Sequence, residues 1–205
     1  MTIIEENLTF TFNEGIGVIN YDKDSFYIEK FQSILNNYPK ENISNKDKFD
    51  YICKKFKNKK EFTKKLNKIC PKSLSAVDII AYDETTSYFI EIKDYRNPEG
   101  EEKDLNILIL TLIKNCLDSY SGILGMQFSE NKSEQKIAKE ILSKKFIEFI
   151  VHIEIPNNSN TFDKDIWNII GIQDAIEQRN NFSHRIRVVS IDNLPKSLPW
   201  IVKET

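Results

Sequence analysis

The stretch Ser75-Ala-Val-Asp78-Ile-Ile-Ala-Tyr82-Asp-Glu-Thr-Thr86-Ser-Tyr-Phe-Ile-Glu91-Ile-Lys93-Asp-Tyr-Arg96 decides how this chain is read. Two apolar runs, Ala76–Tyr82 and Ser87–Lys93, flank the polar tetrapeptide Asp83-Glu84-Thr85-Thr86. Short runs rich in β-branched and aromatic residues, joined by a polar link, predict a β-hairpin. A four-residue loop pairs Tyr82 with Ser87 and so sets Asp78 opposite Glu91. Side chains alternate across a strand, so Phe89, Glu91 and Lys93 share one face and Tyr88, Ile90 and Ile92 the other.

That register has an electrostatic consequence. Two carboxylates directly opposed, with Cβ atoms ~5 Å apart, repel each other. In apolar strands uncompensated charge is costly, so a cation should balance them. Lys93 is one candidate. A hard divalent metal is the other, because carboxylate and carbonyl oxygens suit magnesium or manganese. A surface hairpin with an ordinary solvated Glu91–Lys93 ion pair remains the plain alternative.

Asp78 followed by Glu91-Ile92-Lys93 on such a hairpin resembles the core of the PD-(D/E)xK nuclease superfamily, which includes restriction endonucleases, resolvases and many phage-defence nucleases. The resemblance implies an α/β fold of the restriction-endonuclease-like kind, a mixed β-sheet flanked by helices. It implies metal-dependent hydrolysis of phosphodiester bonds by Asp78, Glu91 and Lys93. Asp78 and Glu91 would bind Mg2+ (or Mn2+), helped by the carbonyl of Ile92, and Lys93 would position or activate the attacking water. Relatives often add an acid from a helix ahead of the metal strands; Glu29 is the candidate for that part here, the alternative being an ordinary exposed helical glutamate. Family habit also favours DNA over RNA. Val77, not proline, precedes Asp78, and the glutamine–tyrosine pair that some relatives carry on the next helix is missing, since Cys116 stands four residues before Tyr120.

The 205 residues carry 40% hydrophobic and 29% charged side chains, as expected of a soluble globular protein. We expect a single nuclease-like domain over 1–205: a metal-site core at about 49–155, an N-terminal hairpin and helix at 1–40, and a C-terminal helix and strand at 161–205. The net charge of −2 carries no nucleic-acid signature. Its distribution does. Between Lys46 and Lys72 eleven lysines face three acids, a net of +8, which leaves about −10 for the rest. Such asymmetry is the footprint of a phosphate-binding surface, although a solvated helix face fits it equally well. Lys64, Lys68 and Lys72, on the run leading into the hairpin, are the nucleic-acid candidates, together with Lys114, which could equally be a surface lysine.

Cys53, Cys70 and Cys116 are odd in number and lack metal-ligand spacing, so they read as reduced thiols of a cytoplasmic protein. No secretion signal is evident at the start. The run Leu105–Leu112 is shorter than the ~20 residues a membrane span needs, so no membrane partner is expected. Gly15-Ile16-Gly17 is too isolated to form a phosphate-cradling loop, and ATP binding is not expected.

In chain order, Leu8–Phe12 and Gly15–Tyr21 predict a hairpin around Asn13-Glu14. Phe26–Asn37 reads as a helix bearing Glu29, capped by Asp24 or Ser25, and Phe49–Ile69 as one or two amphipathic helices. Asp104–Leu124 and Ser133–Lys145 follow as helices, Phe146–Ile155 as a strand, Thr161–Arg179 as a helix interrupted at Gly171, and Arg185–Ile191 as a strand. The first core strand is open; Ile16–Tyr21, with helices inserted after it, is the candidate. His152 reads as a sheet-face histidine, and Trp200 as packing on the body. A restriction or phage-defence effector acting on nucleic acid is expected, as a homodimer or with a protein partner. The rival is a catalytically silent nucleic-acid-binding or scaffold subunit of the same fold.

Overall fold

In chain order the strands and helices are β1 (Thr2–Glu5), β2 (Leu8–Phe12), β3 (Gly17–Asn20), β4 (Ile79–Tyr82), β5 (Thr86–Asp94), α1 (Leu105–Met126), α2 (Lys132–Leu142), β6 (Phe146–Glu154), α3 (Ile169–Arg179), β7 (Ile186–Val189) and β8 (Trp200–Glu204). They come from a computed structural model that describes residues 1–23, 76–96, 105–155, 168–179 and 186–205. The protein is α/β. A five-stranded mixed sheet runs β3-β4-β5-β6-β7 and a three-stranded sheet runs β1-β2-β8. β3, β4 and β5 are antiparallel, while β5, β6 and β7 are parallel.

The hairpin forms in the expected register, with Tyr82 opposite Ser87 and Ile79 opposite Ile90. Its loop is tighter than expected. Asp83 N–H donates to the Thr86 carbonyl at 2.9 Å, so only Glu84 and Thr85 lie at the tip. The cause is the Asp83 side chain, whose Oδ1 accepts from the N–H groups of Thr85 and Thr86, both at 2.7 Å. Such a side chain mimics a backbone turn and closes the loop.

The expected pairing of Leu8–Phe12 with the following strand is corrected by the structure. β2 pairs with β1 and β8, whereas β3 pairs with β4 in the other sheet. Gly15, at φ +83°, takes the chain between the sheets. β3 is an edge strand of the five-stranded sheet, beside β4. A Cβ at Gly17 would stand 2.2 Å from Cζ of Tyr82, so a larger residue there would have to displace that ring.

The alternation in the strands builds two layers of core. Ile79, Ala81, Tyr88, Ile90, Ile92 and Ile150 pack against Phe10, Phe12, Trp200 and Val202 of the small sheet. On the opposite face, Phe89 and Phe149 meet Tyr120 of α1, with ring centroids 6.1 and 6.5 Å apart. Ser87 Oγ donates to the Ile141 carbonyl of α2 at 2.7 Å. α1 over Ile107–Met126 is long and apolar enough, by composition, to cross a membrane. Leu108, Ile109, Leu112, Cys116, Ile123 and Met126 of this stretch are buried in the core. Gly171 lies within α3 without breaking it; Asn168 Oδ1 accepts its N–H at 2.7 Å.

Candidate active site

Glu91, Lys93 and Asp78 come together on the face of β5 that α1 covers. β4 ends its pairing at Ile79, so Asp78 stands one residue beyond the ladder. Its carbonyl accepts from Tyr21 N–H at 2.9 Å. Its carboxylate crosses to β5, where Oδ2 accepts from Ile92 N–H at 2.6 Å. Val77 N–H, just before it, donates to Ser119 Oγ of α1 at 2.7 Å. β5, α1 and the 3-10 turn Tyr21–Lys23 thus hold this aspartate and the residue before it from three sides.

Glu91 is only 1% exposed. Its Oε1 accepts from Lys93 Nζ at 2.6 Å and from Asn115 Nδ2 at 2.8 Å. Its Oε2 is buried and has no partner. Lys93 Nζ also donates to the Ile92 carbonyl at 2.8 Å. The two acids, the lysine and the carbonyl anticipated from the sequence therefore form one cluster. The sequence reading gives no role to Asn115 of α1, which donates to Glu91. An asparagine at a core position of an otherwise apolar helix face was the signal for it.

The electrostatics follow from crowding and burial. Burial pushes the Glu91 carboxyl up to about 7; Lys93 opposes the shift and Asp78 adds to it. Burial also raises Asp78, against the pull of Lys93. For Lys93, burial works against the charge, but Glu91 and Asp78 outweigh it and hold the ammonium above the ordinary lysine range. Lys93 is thus a firmly held cation in this arrangement.

Two further acids lie beside Asp78. One carboxylate oxygen each from Glu5, Asp22 and Asp78 falls within 4.8 Å of the others, all three residues being half-buried. Burial, then Asp78 and Glu5, raises the Asp22 carboxyl to about 6. Glu5 is paired with Lys23. Glu5, at the end of β1, had no sequence signal pointing to Asp78. Asp22 did: it lies two residues past β3, the strand that pairs with β4, which brings it to the Asp78 end of the hairpin.

The remaining candidates fall elsewhere. Lys114 is ion-paired with Asp118 along α1. His152 is fully buried on the small-sheet face, with Nε2 2.8 Å from Glu154 Oε1 and its ring edge-on to Phe10. Burial raises the Cys116 thiol far above its ordinary value, which makes it a poor nucleophile. Glu29, Lys64, Lys68 and Lys72 lie outside the described residues. A cleft of about 430 Å³ opens at the other end of the hairpin, by Gly15, Tyr82, Glu140 and Lys144, and contains none of the acid–lysine set.

No protein-family model matches the chain, and no solved structure matches it. Among curated proteins, a cysteine--tRNA ligase of Neisseria meningitidis serogroup A / serotype 4A is 31% identical over 163 residues. That alignment covers 76% of this chain and 21% of the ligase, so the chain spans about a fifth of the length of the relative it matches.

Proposed function

We propose that this chain is a metal-dependent nuclease of restriction-endonuclease-like architecture, hydrolysing phosphodiester bonds, with DNA the favoured substrate. The observation that carries the reading is the buried Glu91 Oε2, left without a partner beside Asp78 and Lys93. A buried carboxylate oxygen with no donor is costly, and a divalent ion would satisfy it. The donors are all hard oxygens, which suits Mg2+ or Mn2+. Asp78, Glu91 and the Ile92 carbonyl would hold the ion, with Glu5 and Asp22 as further acids next to Asp78. When bound, such an ion supplies an acidified water and neutralises charge on the leaving oxygen.

The chain's own residues supply the geometry. Ile92 N–H orients Asp78, and Asn115 orients Glu91. Lys93, held as an ammonium by Glu91 and Asp78, orients the water and offsets the negative charge that builds on the phosphate. A role in restriction or phage defence and an activating protein partner follow from the family resemblance, a homodimer from the two sites that cutting two strands needs, and a cytoplasmic setting from the reading of the three cysteines as reduced thiols. The likeness to part of a tRNA ligase brings RNA into the test beside DNA.

The test is cleavage of supercoiled plasmid, linear duplex, single-stranded DNA and RNA with magnesium, manganese or EDTA, beside Asp78→Ala and Lys93→Ala. Metal-dependent cutting lost in both variants supports the nuclease and names its substrate. Metal binding that needs Asp78, without cutting, points to a site awaiting a partner. Neither binding nor cutting sinks the catalytic reading and leaves a silent subunit of the same fold.

A further inference from the structure

β5 is longer than its antiparallel partner. Its pairs with β4 stop at Ile90, while its pairs with β6 continue to Asp94. Backbone groups alternate along a strand, so beyond Ile90 the N–H groups of Ile92 and Asp94 face the side that β4 has vacated. Each is taken by a carboxylate. Ile92 N–H donates to Asp78, and Asp94 N–H donates to Oε2 of Glu6.

Glu6 comes from the turn between β1 and β2, in the small sheet. It is the one described non-glycine residue with positive φ, at +53°. That region is uncommon for a residue with a Cβ, so the surroundings must hold it there. They do. Asn7 Nδ2 donates to Asp94 Oδ2 at 3.4 Å, and the Asn7 carbonyl accepts from Thr205 N–H at 3.0 Å. Asp94 in turn binds Arg96, which reaches Glu204 of β8. The turn is therefore anchored both to the end of β5 and to the last strand of its own sheet.

We propose that Glu6 is a positioning residue, whose carboxylate stands in for the missing strand at Asp94 and holds residues 92–94 so that the Ile92 carbonyl and the Lys93 ammonium face Asp78 and Glu91. Its consequence for catalysis rests on the nuclease reading; the clamp itself does not. Three substitutions separate its parts. Glu6→Gln keeps an oxygen acceptor for Asp94 N–H and removes the charge. Glu6→Ala removes both. Glu6→Gly removes both and relieves the positive φ, so it folds even where the alanine variant is strained.

The experiment reads amide hydrogen exchange at Asp94, Mn2+ binding by calorimetry and cleavage kinetics on the same full-length samples. Losing a charge-assisted hydrogen bond should speed exchange at Asp94 by roughly tenfold or more in Glu6→Ala and Glu6→Gly, and little in Glu6→Gln. Mn2+ affinity and kcat should fall with it, substrate KM should not, and Glu6→Gln should restore both. Unchanged exchange at Asp94 in the alanine and glycine variants overturns the clamp. So does a glutamine variant as impaired as alanine, which would assign the effect to charge alone. Faster exchange in a protein whose wild type neither binds Mn2+ nor cuts upholds the clamp and removes the nuclease reading.

Discussion

Adding a divalent metal should stabilise this protein, and do so in a pH-dependent way. Glu91 is essentially unexposed, so solvent screening gives its carboxylate little relief. Burial raises its carboxyl from the ordinary 4.5 to about 7. At 1.36 kcal/mol per unit, ionising it in the folded state costs on the order of 3 kcal/mol relative to the unfolded chain. A carboxyl raised on folding stabilises the fold below its ordinary value, and that contribution is lost as pH rises toward about 7. Asp22, raised to about 6, acts in the same direction. Without metal, stability should therefore decline between about pH 4.5 and 7. Metal needs the ionised carboxylates, so it should help most above pH 7 and least near pH 5. Metal at a hundred times its dissociation constant adds about 2.7 kcal/mol, or roughly 5–10 °C in Tm for a chain of this size. Thermal unfolding from pH 5 to 8, with magnesium or EDTA, measures this. An equal shift at pH 5 and pH 8, no shift at pH 8, or a full shift in Asp78→Asn would refute the reasoning.

Four substitutions test the supporting structure. Asn115→Leu removes the donor to Glu91 Oε1 and also a buried Asn115 Oδ1 that has no partner. The fold should change little, while the metal concentration for half-saturation rises about tenfold, as expected for the loss of a hydrogen bond to a charged group; a large Tm loss with unchanged metal response would contradict this. Asp83→Ala removes the acceptor for two N–H groups and the Tyr88 hydroxyl and should cost about 1–2 kcal/mol in chemical denaturation. Burial opposes its charge, but those donors prevail and hold the Asp83 carboxyl below its ordinary range. Its stabilisation should therefore be present at neutral pH and disappear as pH falls below about 4, a slope that Asp83→Ala should lack. Gly17→Ala puts a Cβ into the Tyr82 ring and should cost about 1–3 kcal/mol. Tyr82→Ala in the same chain should recover most of that; purely additive losses would argue against the contact.

The parts of the fold that were legible share a short sequence separation. The hairpin could be read because both strands and their turn lie within one stretch, and its alternation fixed which side chains met the helix. The helices after it could be read from their spacing. The small sheet could not. β1 buries only Ile3, with Ile4 exposed, so four residues offer no period to detect. β8 alternates over Trp200, Ile201 and Val202, too briefly to stand out after Pro195 and Pro199. β2 reads as a strand from its alternation, but its partner does not, because β8 lies at the far end of the chain. For the same reason Glu5 and Glu6, brought to the site by that sheet, had no local signal linking them to Asp78.

The overhang of β5 explains why charge collects where it does. A strand edge without a partner exposes N–H groups that must be satisfied. Here carboxylates satisfy them, Asp78 at Ile92 and Glu6 at Asp94. With Glu5, Asp22 and Glu91 nearby, five acids gather around Lys23 and Lys93, each of which is already paired. Among the described residues, these two cations do not balance the five carboxylates. Burial and crowding raise the Glu91 carboxyl to about 7 and the Asp22 carboxyl to about 6, so ionising either is costly without added positive charge. An acidic cluster on a solvated surface would have no such need. The same edge that requires acids to complete its hydrogen bonds thus creates a demand for positive charge. A bound divalent ion and the phosphate chemistry it enables are the way of meeting that demand that the cleavage and calorimetric experiments put to the test.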